Sequence, residues 1–560
     1  MDTLYIKKRL ALIDFTKAYY DSYEELLSSK EFKTFLGAFL DDLKKSDPVL
    51  YTWLERFGER EAIIEHLIVT LKYLTVISYD ETTSLNKHDI PIMLNIVEKA
   101  YNFWRDLHRF SIIYSKEDNG LLMSRFIASD VAFNELIISF YRLCEEKLQG
   151  HRNFVYRQLQ AGTNAALFLS RAKTALPEKY DVLAKVPFVT KVMMRSPMII
   201  HLDHNKRLGT FLETKSDPLG KGQYRDFICY PILVGECLTF VYFHKDFMAS
   251  AIGLANLFEF APPELWHKKP DCIILFGVKD NKKDTVYYHD VENDIYVGKI
   301  SYQPIIEYFG YFKKMALTLH NLVMMRRGYL PIHGAMLEIR LKDGKTRGVC
   351  LMGDSGAGKS ETIEAMNKIA ELIEAQVVIF DDMGVMYVKD GEVYAKGTEI
   401  GAFVRLDDLD SSAMYRDIDR SIFFNPGNNN SRVITPASPY SVVIAPHKVD
   451  IFLYANNYDD KKGLRVIDDL NEVKDIYVRG KRFALGTTNE VGISETYFAN
   501  PFGPMQEKER CDVLIDKVLK ACKESNVKLG EIYTNLGLKD KGEGGIIDAA
   551  RALIDLIEES

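Results

Sequence analysis

An eight-residue run, Gly353-Asp354-Ser355-Gly356-Ala357-Gly358-Lys359-Ser360, fits the pattern G-x-x-x-x-G-K-[ST]. The apolar stretch Val349-Cys350-Leu351-Met352 before it reads as a buried strand, and a helical pattern follows from Glu361 to about Ile373. Glycines let the backbone curl so that successive N–H groups converge on phosphate oxygens, and the following helix turns its positive end to the same charge. Lys359 then neutralises the outer phosphates of a nucleotide, and Ser360 ligates its divalent ion. Downstream, the apolar strand Val377-Val378-Ile379-Phe380 is expected to end in Asp381-Asp382, where the metal of a bound nucleotide needs an acidic partner.

The elements that must position these groups follow from composition and periodicity. The 560 residues are 47% hydrophobic and 27% charged, which excludes disorder and leaves room for about three to five domains. A net charge of −7 gives no global pull toward nucleic acid or anionic lipid. No apolar run is long enough to cross a membrane or form a signal peptide, and the seven scattered cysteines read as reduced, buried thiols, so a cytoplasmic location is expected. Apolar residues recurring at three and four, as in Tyr19–Leu43 and Ala62–Ile77, predict an all-helical region over residues 1–180. His66, in the second of these runs, has no histidine or cysteine at a ligand spacing and reads as structural. Two prolines bracket a polar stretch at Thr174–Pro187, a candidate linker. Strand-like runs at Phe227–Tyr242, Cys272–Val278 and Val286–His289 make residues 181–300 a mixed α/β region. From 301 to 560, strands alternate with helical segments in an α/β pattern.

Several segments around the loop carry a resemblance. GDSGAGKSE, with IHGAMLEI upstream and a strand running into Asp381-Asp382, is similar to the superfamily joining phosphoenolpyruvate carboxykinases and HPr kinase/phosphorylases. Tyr308-Phe309-Gly310-Tyr311-Phe312-Lys313-Lys314 resembles the carboxykinase Y-x-G-E-M-K-K, and Leu330-Pro331-Ile332-His333 its L-P-M-H. Asn429-Asn430-Ser431-Arg432 resembles E-N-[ST]-R, and Gly486–Glu495 followed by Asn500–Pro504 resembles G-T-E-R-G-V-T-E-P-E and G-A-P-F. The match spans about 301–560 and implies a carboxykinase-like phosphate-loop catalytic domain. It implies that Lys314 and His333, with Asp382, ligate a catalytic manganese ion, while a magnesium-type ion rides on ATP through Ser360. Arg432 would reach the transferred phosphoryl group, and Tyr308 would orient the substrate. Arg195, in Arg195-Ser196-Pro197, is similar to the arginine of G-R-S-P in the family's substrate-binding domain, which contacts the substrate carboxylate, and the resemblance implies a substrate-binding role for residues 181–300.

The sequence also departs from the family. Glu399-Ile400-Gly401-Ala402-Phe403-Val404-Arg405 aligns with E-G-G-C-Y-A-K, placing Arg405 where the family has a catalytic lysine, with Lys396 as a competing choice. The family's C-terminal G-K-R reads Gly542-Glu543-Gly544-Gly545 here, which opens the question of the phosphoryl donor. The loop is nearer the ATP-using branch, while Pro426-Gly427-Asn428 resembles the GTP-using one. The implied activity is interconversion of oxaloacetate plus ATP with phosphoenolpyruvate, CO2 and ADP. Phosphoryl transfer to a hydroxyl, as in HPr kinases, and a non-catalytic nucleotide-binding module are the alternatives. Expected partners are small molecules, with no nucleic acid and no membrane, and the sequence sets no oligomeric state.

Overall fold

The computed structural model describes residues 3–559 apart from 17–19, 78–87, 115–119, 158, 208–209, 221–223, 355, 370–372, 407–417, 486–490 and 539–541. The chain is mixed α/β, with 39% helix and 30% strand, so neither class alone organises it. It divides into two compact units: Met1–Arg171 with Pro187–Met198, and Ala172–Val186 with Ile199–Ser560. No helix among the described residues is long and apolar enough to cross a membrane.

The first unit is not all-helical. Its helices, among them Lys30–Ser46, Arg60–Val76, Ile90–Asp106 and Gly120–Gln149, accompany strands Leu4–Lys7, Leu10–Asp14, His108–Tyr114, Ala165–Ser170 and Phe188–Met194. These strands pair in that order, antiparallel, parallel, parallel and antiparallel. The first two are four and five residues long, too short for a period to register. His108–Tyr114 opens on two polar residues that are nonetheless buried, so it shows no alternation. Arg109 is accommodated there by donating to the carbonyls of Gly162, Trp104 and Leu107 at 2.7, 2.8 and 2.9 Å. The ring of His66 stacks on that of Phe57 at 3.6 Å.

In the second unit, the run Phe227–Tyr242 folds as two antiparallel strands, Phe227–Val234 and Cys237–His244. Cys272–Val278 and Ile295–Ser301 extend this sheet in parallel, and Thr285–Asp290 pairs antiparallel to the latter. Helix Gly310–Arg326 packs on these strands and on Leu330–Leu341 of a second sheet, which is why it is buried nearly all round, polar residues included. That second sheet has the order His447–Lys448, Glu392–Gly397, Ile373–Lys389, Leu330–Leu341, Thr346–Met352, Ile451–Asn456, Lys528–Tyr533, Leu464–Val466. Gly334 sits where its strand is flanked on both sides, and a Cβ there would lie 2.4 Å from the Leu351 carbonyl oxygen.

Two local expectations change. The helix after the phosphate loop runs Lys359–Lys368, shorter than the pattern suggested. The strand carrying Asp381-Asp382 does not end there but continues to Lys389, antiparallel to Leu330–Leu341. Apolar residues resume at Met383, and pairing with Glu392–Gly397 on its other side holds the strand past the two acids.

Candidate functional site

Strand Thr346–Met352 delivers the chain into the loop, and helix Lys359–Lys368 leaves it. The Gly353 N–H donates to the His333 carbonyl at 3.0 Å, so the start of the loop is pinned to the neighbouring strand. Gly358 has φ +98°, and a Cβ there would meet Thr534 at 2.6 Å, so the turn into the helix accepts only glycine without strain. Lys359 Nζ donates to the carbonyls of Gly353 and Asp354 at 2.8 and 3.1 Å. Ser360 Oγ donates to Asp381 Oδ1 at 3.0 Å, which joins the loop's hydroxyl to the expected acidic partner. Gly356 and Ala357 offer their carbonyls to Asn457 Nδ2 and Thr534 Oγ1, at 2.9 and 2.8 Å. Ser355, the remaining loop position assigned to nucleotide binding, lies outside the described residues.

One residue further along the strand, the side chain of Asp382 gathers the expected metal ligands. Its Oδ2 lies 3.0 Å from Lys314 Nζ, and its Oδ1 lies 3.0 Å from His333 Nε2. The backbone of Asp382 has φ +140°, a conformation that side-chain-bearing residues rarely adopt, and a register slip precedes it at Met336/Leu337 of the neighbouring strand. Such bulges re-aim side chains beside functional sites. His333 Nδ1 faces the Ala499 carbonyl at 2.7 Å, so that nitrogen carries a proton and Nε2 is the one turned to the carboxylate. This is the arrangement of a ligating imidazole, oriented by a backbone carbonyl behind it. Amine, imidazole and carboxylate therefore converge as a mixed N, N, O donor set of the kind manganese accepts. Among the described residues, no group of three His, Cys, Asp or Glu side chains is placed to hold a metal ion, so the lysine is essential to this set.

Burial sets the electrostatics. It works against ionised Asp382, but Lys313, Lys314 and His333 outweigh it and hold the carboxyl well below its ordinary range. Burial lowers the affinity of Lys314 for its proton, against the pull of Asp382, which moves the amine toward the neutral form that can ligate. Burial also raises Asp381, opposed by Lys359. Glu399 is pushed up by burial to about 7 although Lys313 Nζ lies 3.0 Å away.

Sequence reading missed the part that several residues play in this cluster. Lys313 is 2.7 Å from Asp382 Oδ2, and bridges it to Glu399. Asp354 turns toward Arg482 Nε at 3.0 Å and His333 Nδ1 at 3.7 Å, linking the loop to the cluster around Asp382. Arg207 stands over the ring of Phe502 at 5.6 Å, the ring that Lys314 Nζ also approaches, at 4.5 Å. The doublet Lys313-Lys314 was a visible signal for the first, Asp354 was expected only as a nucleotide-binding position of the loop, and Glu399 stood only at the head of the segment aligned with E-G-G-C-Y-A-K; Arg482 and Arg207 had no signal, since each is set by a contact distant in the chain.

The remaining expected residues divide. Arg432 Nε donates to Tyr308 Oη at 3.4 Å, and the Arg432 guanidinium stands 5.8 Å from the ring of Phe403, which Lys313 Nζ approaches at 5.5 Å. Arg405 is the cross-strand partner of Arg432 in the small sheet built on Gly401–Arg405 and Arg432–Pro436. Lys396, the competing choice, is ion-paired with Glu236 at 3.0 Å. Arg195 belongs to the first unit, where it pairs with the fully buried Asp130, Nε to Oδ2 3.0 Å. Gly486–Glu490 of the family-like segment lies outside the described residues. No protein-family model and no curated protein sequence matches this chain.

Proposed function

We propose that the second unit is a metal-dependent phosphoryl-transfer site of the phosphoenolpyruvate carboxykinase type, interconverting oxaloacetate plus ATP with phosphoenolpyruvate, CO2 and ADP. The observation that carries this reading is the meeting of Lys314, His333 and Asp382 one residue from the Asp381 that engages the phosphate-loop serine. A divalent ion held by Lys314, His333 and Asp382 would supply Lewis-acid stabilisation of an enolate oxygen. Lys359, released from the loop carbonyls by phosphate oxygens, draws charge from the β- and γ-phosphates. Arg432, oriented by Tyr308, presents a planar donor fork to the transferring phosphoryl group, with Arg405 beside it. Arg207 and the ring of Phe502 form a cationic, apolar wall suited to the substrate carboxylate. Phosphoenolpyruvate formation by the manganese-loaded, purified chain from oxaloacetate with ATP, and in parallel with GTP and pyrophosphate, is the test. Absence of product with all three donors would sink this reading.

A second reading, phosphoryl transfer to a hydroxyl, is favoured by Glu399. Apart from its ion pair with Lys313, neither carboxylate oxygen has a hydrogen-bond partner among the described residues, a disposition that suits a base awaiting a hydroxyl proton. It predicts ADP formation from ATP with a hydroxyl acceptor, and no phosphoenolpyruvate.

A further inference from the structure

The first unit contains a cavity of about 130 Å³ that is partly open to solvent. It lies among strand Leu10–Asp14 and the helices Lys30–Ser46, Arg60–Val76, Ile90–Asp106 and Gly120–Gln149, and its walls include Phe32, Phe35, Phe39, Leu71, Trp104 and Phe140. Two of the polar groups around it are engaged elsewhere: Trp104 Nε1 donates to the Ala161 carbonyl at 2.7 Å, and Tyr141 Oη to Glu98 at 2.7 Å. Several rings meet edge to face, as Phe35 and Trp104 do at 5.7 Å and 87°, leaving flat apolar surfaces around the void. Protein interiors pack to crystal density, so a space of this size forfeits the contacts of every side chain that lines it. It offers too few polar partners to hold water. Engineered apolar cavities of about 150 Å³ stay dry and take up benzene-sized ligands.

We infer that this cavity is a binding site for the apolar ring or short hydrocarbon tail, about six to eight carbons, of a small molecule whose head remains at the opening. The charge of the head is restricted by the wall. Among the described residues, Glu31 is the single ionisable acid or base lining the cavity besides tyrosine phenols, and it accepts a hydrogen bond from Tyr20. A carboxylate head meets a like charge there, so neutral ligands are selected over anionic ones of the same shape.

Calorimetry on the full chain with toluene, benzyl alcohol and benzoate tests the inference, alongside a crystal soaked in iodobenzene. Saturable binding of toluene and benzyl alcohol, at least tenfold tighter than benzoate, and an anomalous iodine peak among Phe32, Trp104 and Phe140 are expected. Val97→Phe and Ala100→Phe, which project into the space, should each weaken toluene binding at least tenfold while the circular dichroism spectrum is kept. No iodine peak in the cavity overturns the inference whatever the variants do. So does toluene binding that is unchanged in either folded variant, and benzoate binding equal to that of benzyl alcohol overturns the role given to Glu31.

Discussion

Lys313 and Lys314 are consecutive on one helix and both reach Asp382 Oδ2, at 2.7 and 3.0 Å, yet their proton affinities move in opposite directions. Both lose affinity through burial, but Lys313 also faces Glu399, and the two carboxylates together raise it above an ordinary amine. Lys314 faces Asp382 with Lys313 as a competing cation, and ends lowered. The helix N-terminus adds its own positive field to both, which the two acids offset. Lys313 is thus the cation that holds its proton, and Lys314 is the amine that the proposed metal site would use.

The two lysines should separate in experiment. Lys314→Met is expected to weaken manganese binding by at least about tenfold, read by electron paramagnetic resonance, with a modest stability loss. Lys313→Met leaves Asp382 and Glu399 buried without their shared counter-ion and should cost about 3–5 kcal/mol in urea unfolding. Equal effects of the two substitutions on both measurements would contradict the division of roles.

Glu399 gives a pH dependence of definite sign. Its carboxyl is raised to about 7 in the folded chain against 4.5 for the free side chain, so the folded state binds more protons between those values. Stability from this group therefore falls as pH rises from 4.5 to 7, and the loss is complete above 7. In metal-free buffer, Glu399→Gln should be more stable than the parent at pH 8 by on the order of 2 kcal/mol, with the difference vanishing near pH 4. A difference that grows on acidification would reverse the assignment.

Arg432→Lys keeps the charge but loses the planar fork and the contact to Tyr308. Under the proposed chemistry, turnover with ATP should fall by about 10²–10³ with little change in manganese affinity. Arg207→Met should instead raise KM for the carboxylate substrate and leave the nucleotide KM unaltered.

Arg195 is expected to report on stability. Its guanidinium serves Asp130, which also accepts from the Thr163 N–H at 3.1 Å. Arg195→Met should destabilise the first unit by about 2 kcal/mol or more, visible in thermal unfolding. A raised substrate KM with unaltered unfolding would restore the substrate role that the resemblance implied.

Gly358→Ala tests the loop. It places a side chain at φ +98° and 2.6 Å from Thr534, so nucleotide binding should drop sharply, with a stability loss of about 1 kcal/mol or more.

The glycine-rich loop, its strand and its helix were legible in the sequence because all three are local: glycine spacing, an apolar run and a helical period lie within about thirty residues. The N-terminal helices were legible for the same reason. The strands threaded among them were not, since Leu4–Lys7 and Leu10–Asp14 owe their state to sheet partners rather than to any pattern of their own. The site divides along the same line. Residue types at Lys314, His333, Asp381 and Asp382 are written in the chain, but their convergence depends on the pairing of Ile373–Lys389 with Leu330–Leu341, which sets Gly334 opposite Asp382. Glu399, Asp354, Arg482 and Arg207 join only through contacts distant in sequence, and it is those contacts, with the burial they impose, that decide which lysine holds its proton. Burial is a property of the packed chain, so no spacing of residues could have stated it in advance.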